Sequence, residues 1–216
     1  MTANRKSGLL CAVCAVCMGL NGLAGVVEVG TGTLFYDQPA LQRPLSSDAG
    51  RYQILVLAEQ LEGYAESNLV AVAFDANVHP AGAASFDNVV IRVVPTTVAK
   101  LSDTFADNYA GQEPVEVLNV ETLTLEWSAR GWHRIEFSRP FKYDGKSNLV
   151  IEFQHDGNED GKAIRTTRWA AEPGRVLDGT VTSLPGQPRL TDGGALVSGH
   201  LRPYMNGLRV VFAAAE

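Results

Sequence analysis

Residues 131–153 read GWHRIEFSRPFKYDGKSNLVIEF, and this stretch decides the fold. Two runs alternate apolar and polar residues on either side of a turn-rich middle. Ile135 and Phe137 point one way, Arg134 and Glu136 the other. Leu149, Ile151 and Phe153 share a face opposite Asn148, Glu152 and Gln154. Successive side chains of a strand leave opposite sides of a sheet, so period-two alternation predicts strands buried on one face. Between the runs, Pro140 stops the first strand because it cannot donate to a ladder. Tyr143, Asp144 and Gly145 then supply turn chemistry, with an aspartate cap and a glycine free to take positive φ. The segment predicts a hairpin that builds the fold and carries no reaction.

The same alternation extends outward. Residues 26–33, 52–57, 69–75, 88–94, 115–127, 162–169, 175–181 and 208–212 read as strands, with Pro95 ending the fourth. Val115 and Val117 share one parity, Val120 takes the other, and Leu123, Leu125 and Trp127 return to the first; a bulge near Asn119 reconciles these registers. Residues 58–65 suit one helical turn and residues 99–105 a short helix. Glycine, proline and serine mark loops at 40–50, 78–85 and 184–199. Many short strands with no long helix predict an all-β chain, a single β-sandwich that is jelly-roll-like, with roughly nine or ten strands.

The N-terminus carries an address. Arg5 and Lys6 precede a charge-free, mostly apolar run over residues 9–23, and Gly22 and Ala24 provide small residues for cleavage. This is the plan of a secretory signal, and the run is shorter than the roughly 20 residues of a membrane span. The expected organisation is a signal peptide over residues 1–24 and a β-sandwich over 25–216, with no membrane insertion after cleavage. The product is expected to be secreted or displayed at the cell surface, with the periplasm as the other destination. Cys11, Cys14 and Cys17 are the only cysteines and all lie inside that signal. Their spacing imitates a metal motif, but only apolar Ala and Val separate them and no fourth cysteine follows. The mature chain would therefore rely on its core rather than on disulfides.

Charge narrows the partners. The chain has 18 Lys and Arg against 24 Asp and Glu, a net charge of −6 that becomes −8 without Arg5 and Lys6. No basic run is present, so nucleic acid is not an expected partner.

Several segments recur in order with a known plan: Gly30 to Thr33, the strand 69–74, Gly131-Trp132, the run from Pro140 through Tyr143-Asp144-Gly145, Ser147 to Phe153, and Arg202-Pro203-Tyr204 before the last strand. This series resembles an adhesin-like, jelly-roll β-sandwich module of secreted bacterial surface proteins. The resemblance covers most of the mature chain. It implies attachment or surface display, with a surface protein or a glycan as partner.

Two groups of residues are candidate sites. Asp156, Asn158 and Asp160, followed by Gly161, match the opening of a calcium loop, in which alternate oxygens converge on a hard cation. The twelfth position is Thr167 rather than a bidentate glutamate, so calcium stands beside the alternative of a plain polar turn. Trp132 and Trp169 are the candidate ligand-binding aromatics, with Tyr109 and Tyr204 as further platforms; Trp127 continues the apolar face of Leu123 and Leu125 and is expected in the core. His79, His133, His155 and His200 are scattered, and no nucleophile-elbow motif occurs, so no catalytic residue and no cofactor is assigned beyond calcium. The expected function is a secreted, non-catalytic interaction or adhesion module. A carbohydrate-binding module is the alternative. A structural matrix subunit or a glycoside-type hydrolase built on paired carboxylates are the remaining ones.

Overall fold

Strand alternation governs almost every element of the computed structural model, which describes residues 24–29, 44–78, 82–127, 131–181, 196 and 198–214. The expected signal segment, its three cysteines, residues 30–33 and most of the loop at 184–199 lie outside the described residues, as do His79 and the side chain of Trp127. Among the described residues there are thirteen strands: β1 (Gly25–Val29), β2 (Asp48–Val56), β3 (Asn68–Val78), β4 (Gly82–Thr96), β5 (Val115–Trp127), β6 (Gly131–Lys142), β7 (Asn148–Gly157), β8 (Arg165–Thr166), β9 (Arg168–Ala170), β10 (Val176–Val181), β11 (His200–Arg202), β12 (Tyr204–Asn206) and β13 (Leu208–Ala213). Two 3₁₀ turns, η1 (Ala58–Leu61) and η2 (Ala106–Tyr109), accompany them. None of the described helices is long and apolar enough to cross a membrane.

The strands form two stacked sheets. One runs β1–β13–β3–β6, with β8 also pairing β3; the other runs β11–β10–β2–β7–β4–β5; β12 and β9 make a small separate ribbon. Through the first seven strands the chain changes sheet at every link except β4 to β5, and β13 returns between β1 and β3. The orders β1–β13–β3–β6 and β2–β7–β4–β5 are those of a jelly roll. The additional strands raise the number above the nine or ten expected, because two- and three-residue strands carry too little alternation to be read.

The core lies between the sheets. From β7 come Leu149, Ile151 and Phe153, from β2 Ile54 and Val56, and from the facing sheet Leu69, Val72, Phe74, Leu208, Val210 and Phe212. Phe74 and Phe153 meet edge to face across the gap, with ring centroids 5.0 Å apart. Each such side chain contributes about 1.5–3 kcal/mol relative to an exposed position.

The expected hairpin at 131–153 is corrected by the pairing. β6 pairs with β3, while β7 pairs with β2 and β4, so residues 143–147 cross from one sheet to the other. Alternation reports which face of a strand is buried and is silent about which neighbour completes its ladder. The turn chemistry itself holds. Asp144 Oδ1 accepts from the backbone N–H of Lys146 and of Ser147, both at 2.9 Å, and Oδ2 accepts from Ser147 Oγ at 2.6 Å. Gly145 takes φ +75°, and a Cβ there would lie 2.4 Å from Ala65 Cβ.

Glu152 and Gln154, placed on the polar face, are buried as well. The segment 97–114 between β4 and β5 lies over that side of the sheet as a strap. Its Leu101 and Phe105 join Leu55, Val94, Val150 and Leu177 in a second apolar cluster. The short helix expected at 99–105 falls instead at η2, directly after Phe105. The bulge in β5 sits at Val117, two residues before Asn119, where Ile91 pairs with Leu118 and Arg92 with Glu116. Pro95 lies within β4 opposite Leu149 rather than ending it. The loop at 78–85 is narrower than expected, since β3 extends to Val78 and β4 starts at Gly82.

Candidate functional site

The outer face of the β1–β13–β3–β6 sheet gathers the residues of most chemical interest. Phe74 on β3, Ile135 on β6 and Leu208 on β13 point into the core, so Asp75, Trp132 and Arg209 point outward. Asp75 stands opposite Trp132 in the β3–β6 register. Gly207 sits between β12 and β13, and a ring of backbone bonds ties it down. Asp75 N–H donates to Gly207 O at 3.2 Å, Gly207 N–H to Thr167 O at 2.9 Å, and Thr167 N–H to Asp75 O at 2.7 Å. Trp169 follows on β9, paired with Met205 of β12.

This knot brings Trp132 and Trp169 together. A Cβ on Gly207 would lie 3.1 Å from Asp75 Cβ, 3.3 Å from Trp169 Nε1 and 3.6 Å from Trp132 Cη2. Gly207 therefore packs directly against two indole rims and the β-carbon of Asp75, with too little room for a side chain of its own. Both tryptophans are half-buried, and the Arg209 guanidinium lies 4.1 Å from the Trp132 ring centroid. Arg209 Nε donates to Glu28 Oε1 at 2.9 Å, which neutralises that cation. Among the described residues, neither the Asp75 carboxylate nor Trp169 Nε1 has a hydrogen-bond partner. Trp132 and Trp169, the two candidate aromatics, thus meet at Gly207 through rim atoms.

Behind Gly207, the inner face of the same corner is polar. Tyr52 OH donates to Asn206 Oδ1, and Asn206 Nδ2 donates to Thr166 Oγ1. Arg202 Nη2 pairs with the fully buried Asp178 at 2.7 Å. Burial, reinforced by Tyr204 and Asp178 and opposed by Arg168, pushes the Tyr52 hydroxyl pKa well up, so Tyr52 stays a donor. Asn206 is thus clamped immediately before Gly207.

The other candidates are dispersed. Asp156 Oδ2 accepts from Asn88 Nδ2 at 2.8 Å. Asn158 Nδ2 donates to Lys162 O at 2.7 Å. Asp160 Oδ1 accepts from Lys162 N–H at 3.1 Å, and Asp160 Oδ2 pairs with Lys162 Nζ at 2.9 Å. Lys162 holds the Asp160 carboxyl below the usual range. Among the described residues, no group of three or more His, Cys, Asp or Glu side chains is arranged to hold a metal ion. Tyr204 is buried under Arg168, whose guanidinium lies 4.6 Å from its ring centroid, so it is packing and not a platform.

Tyr109 is not a platform either; it belongs to a network that the sequence did not reveal. Glu152, fully buried on β7, accepts at Oε2 from Arg51 Nε at 3.0 Å, Gln53 Nε2 at 2.7 Å and Tyr109 OH at 2.7 Å. Its Oε1 accepts from Arg92 Nη1 at 3.0 Å. Asn108 Nδ2 donates to Gln53 Oε1 at 2.8 Å, and Gln53 Nε2 to Phe105 O at 3.1 Å. These bonds pin the strap to the sheet. Burial works to lower the Arg51 pKa, but Glu152 and Tyr109 outweigh it and leave the pKa raised. Burial, reinforced by Glu152 and opposed by Arg51, pushes the Tyr109 hydroxyl up to about 12. The only signal in the sequence was the presence of Arg51, Gln53, Arg92 and Glu152 in otherwise apolar strands.

No protein-family model matches the chain, and no curated protein matches its sequence.

Proposed function

We propose that the chain is an exported, non-catalytic interaction module of adhesion type that docks a surface ligand on the outer face of the β1–β13–β3–β6 sheet. The convergence of Trp132 and Trp169 on Gly207 carries this reading. Half-buried aromatic side chains gathered on the outer face of a sheet are common components of a recognition surface. The opposite outer face is roofed by the strap, whose polar groups are engaged with the sheet. A carbohydrate ligand is the second reading, favoured by the indoles standing beside a carboxylate. Export rests on the basic start and apolar run of residues 5–23.

The test is binding of the purified protein to a glycan array and to a panel of immobilised cell-surface proteins, repeated with the double variant Trp132→Ala, Trp169→Ala. The expected result is a restricted set of ligands, each weakened at least about tenfold in the variant, as for loss of aromatic contacts at a binding hot spot. Unchanged binding by the variant would remove the site. Binding to proteins alone would keep the docking reading and eliminate the carbohydrate one.

A further inference from the structure

We infer that His155 is an acid-sensitive clamp: its neutral imidazole ties residues 44–47 to the end of β7, and protonation releases that corner of the sandwich. Its action needs no ligand and so goes beyond the docking reading above.

His155 lies near the end of β7, on the parity of Leu149, Ile151 and Phe153, and is only 4% exposed. Its ring meets the Phe86 ring edge to face, with centroids 5.4 Å apart. Both ring nitrogens are held by backbone groups whose roles are fixed. Gly157 N–H donates to Nδ1 at 3.0 Å, and an N–H can only donate, so Nδ1 carries no proton. Pro44 O lies 2.8 Å from Nε2 and can only accept, so Nε2 carries one. The geometry selects the neutral Nε2–H tautomer. An imidazolium has a proton on each nitrogen, and Nδ1–H would then confront Gly157 N–H.

The grip of the ring extends through Gly157. That residue stands opposite Asp48 in the β2–β7 register, and a Cβ on it would lie 2.2 Å from Ser47 O. Just beyond, Asn158 N–H donates to Ser47 O and Ile164 N–H to Leu45 O, both at 2.9 Å. Leu45 and Ile164 belong to the main core. Freeing Gly157 therefore loosens the entry to β2 and uncovers both side chains.

Nearby charges do not reverse this. On its own strand, Asp156 leaves the opposite face of β7 and accepts from Asn88 of β4. On β2, Asp48 is exposed, and Tyr52 is engaged with Asn206. On β4, Asp87 has the opposite parity to Phe86. In the turn after β7, Asp160 pairs with Lys162, whose Nζ also donates to Ala83 O. Across the core, His133 shares the inner parity of β6 opposite Phe74. Carboxylates favour a charged imidazole, but none of them restores an acceptor at Nδ1.

An imidazole in water takes its proton near pH 6.5. The closed corner accepts only the neutral ring, so the open corner binds the extra proton. Closure is fully favoured above about pH 6.5 and weakens progressively below it, before most carboxylates titrate near about pH 4.

The experiment is residue-resolved amide hydrogen exchange on the full chain, in chelator, at about pH 7.5 and about pH 5.5, either side of the imidazole range. Protection is corrected for the intrinsic pH dependence of exchange, and ¹⁵N shifts of the histidine rings are recorded alongside. At the higher pH the His155 ring is expected as the Nε2–H tautomer. At the lower pH, protection of Gly157, Asn158 and Ile164 should fall about tenfold or more, the scale of one lost buried bond, while Ile151 and Val210 keep theirs. His155→Gln, which cannot titrate, should give equal protection at both values. His200→Gln, on the exposed β11, should keep the wild-type response. If His155→Gln fails to fold, the ring shifts and amide protection of the wild-type chain decide by themselves. A charged or Nδ1–H ring at the higher pH overturns the inference. So does protection that stays unchanged at the lower pH, that falls equally throughout both sheets, or that keeps its pH response in His155→Gln.

Discussion

Arg51 Nε donates to Glu152 Oε2 at 3.0 Å across the paired strands β2 and β7, on the side of the sheet that faces away from the main core. Glu152 is fully buried there, and its other donors are Gln53, Tyr109 and Arg92. Removing the carboxylate takes away the charge partner of Arg51, while Arg92 keeps Glu116 and Gln154. Glu152→Ala should cost about 3–5 kcal/mol, the range for breaking a buried pair from one side. Urea denaturation measures the loss, and hydrogen exchange should show protection falling first in residues 97–112. An unchanged midpoint would mean that the strap is held by its apolar contacts alone.

Tyr109 gives the fold an alkaline limit. Its hydroxyl pKa, and that of Tyr143, is pushed by burial from the ordinary 10.0 up to about 12. An unfolded chain releases these protons near pH 10, so between these values the folded state is the better proton binder. Stability is therefore fully present below pH 10 and declines as pH rises toward about 12. Tyr109→Phe should lower stability at neutral pH by about 2 kcal/mol through the lost bond to Glu152. It should also flatten the decline above pH 10. Denaturant midpoints at a series of alkaline pH values test both.

Gly157, the last residue of β7, and Gly161, in the loop that follows, should respond differently to alanine. Gly157 has φ +84°, and a Cβ there would lie 2.2 Å from the backbone oxygen of Ser47. Backbone at both ends of that clash leaves no side chain free to yield, so Gly157→Ala should cost more than about 4 kcal/mol. Gly161 has φ +68° and nothing within 4 Å of the same position. Gly161→Ala carries only the left-handed backbone penalty, about 1 kcal/mol. Paired thermal melts settle the contrast.

Calcium should leave the melting temperature unchanged. A calcium ion takes about six to eight oxygens, and Asp156, Asn158 and Asp160 are turned to Asn88 and Lys162. Melts in millimolar calcium and in chelator should superimpose. A rise with calcium would mean that the loop rearranges and frees Asp160 from Lys162.

The two-layer architecture was legible because Leu149, Ile151 and Phe153, like Leu208, Val210 and Phe212, advertise a buried face by spacing alone. Partner strands were not legible. Ser67 and Tyr143 join through the backbone, and nothing in their side chains announces it. The strap was missed for a related reason. Glu152 looks solvent-facing by parity, and only the three-dimensional return of residues 97–114 covers it. At the candidate site the two tryptophans could be named as aromatic residues of interest. Asp75 and Gly207 could not, because their meaning comes from a chain crossing: a glycine matters here for the atoms it lacks, and a carboxylate for the partner it does not have.

The last strand, β13, sits between β1 and β3, with Val210 opposite both Val27 and Val72. One layer of the sandwich therefore lacks its middle until residues 208–213 have been synthesised. A nascent or truncated polypeptide would expose the rims of β1 and β3 with nothing to zip them together. Closure of this sheet is thus delayed to the end of the β13 segment, which makes that strand the final latch.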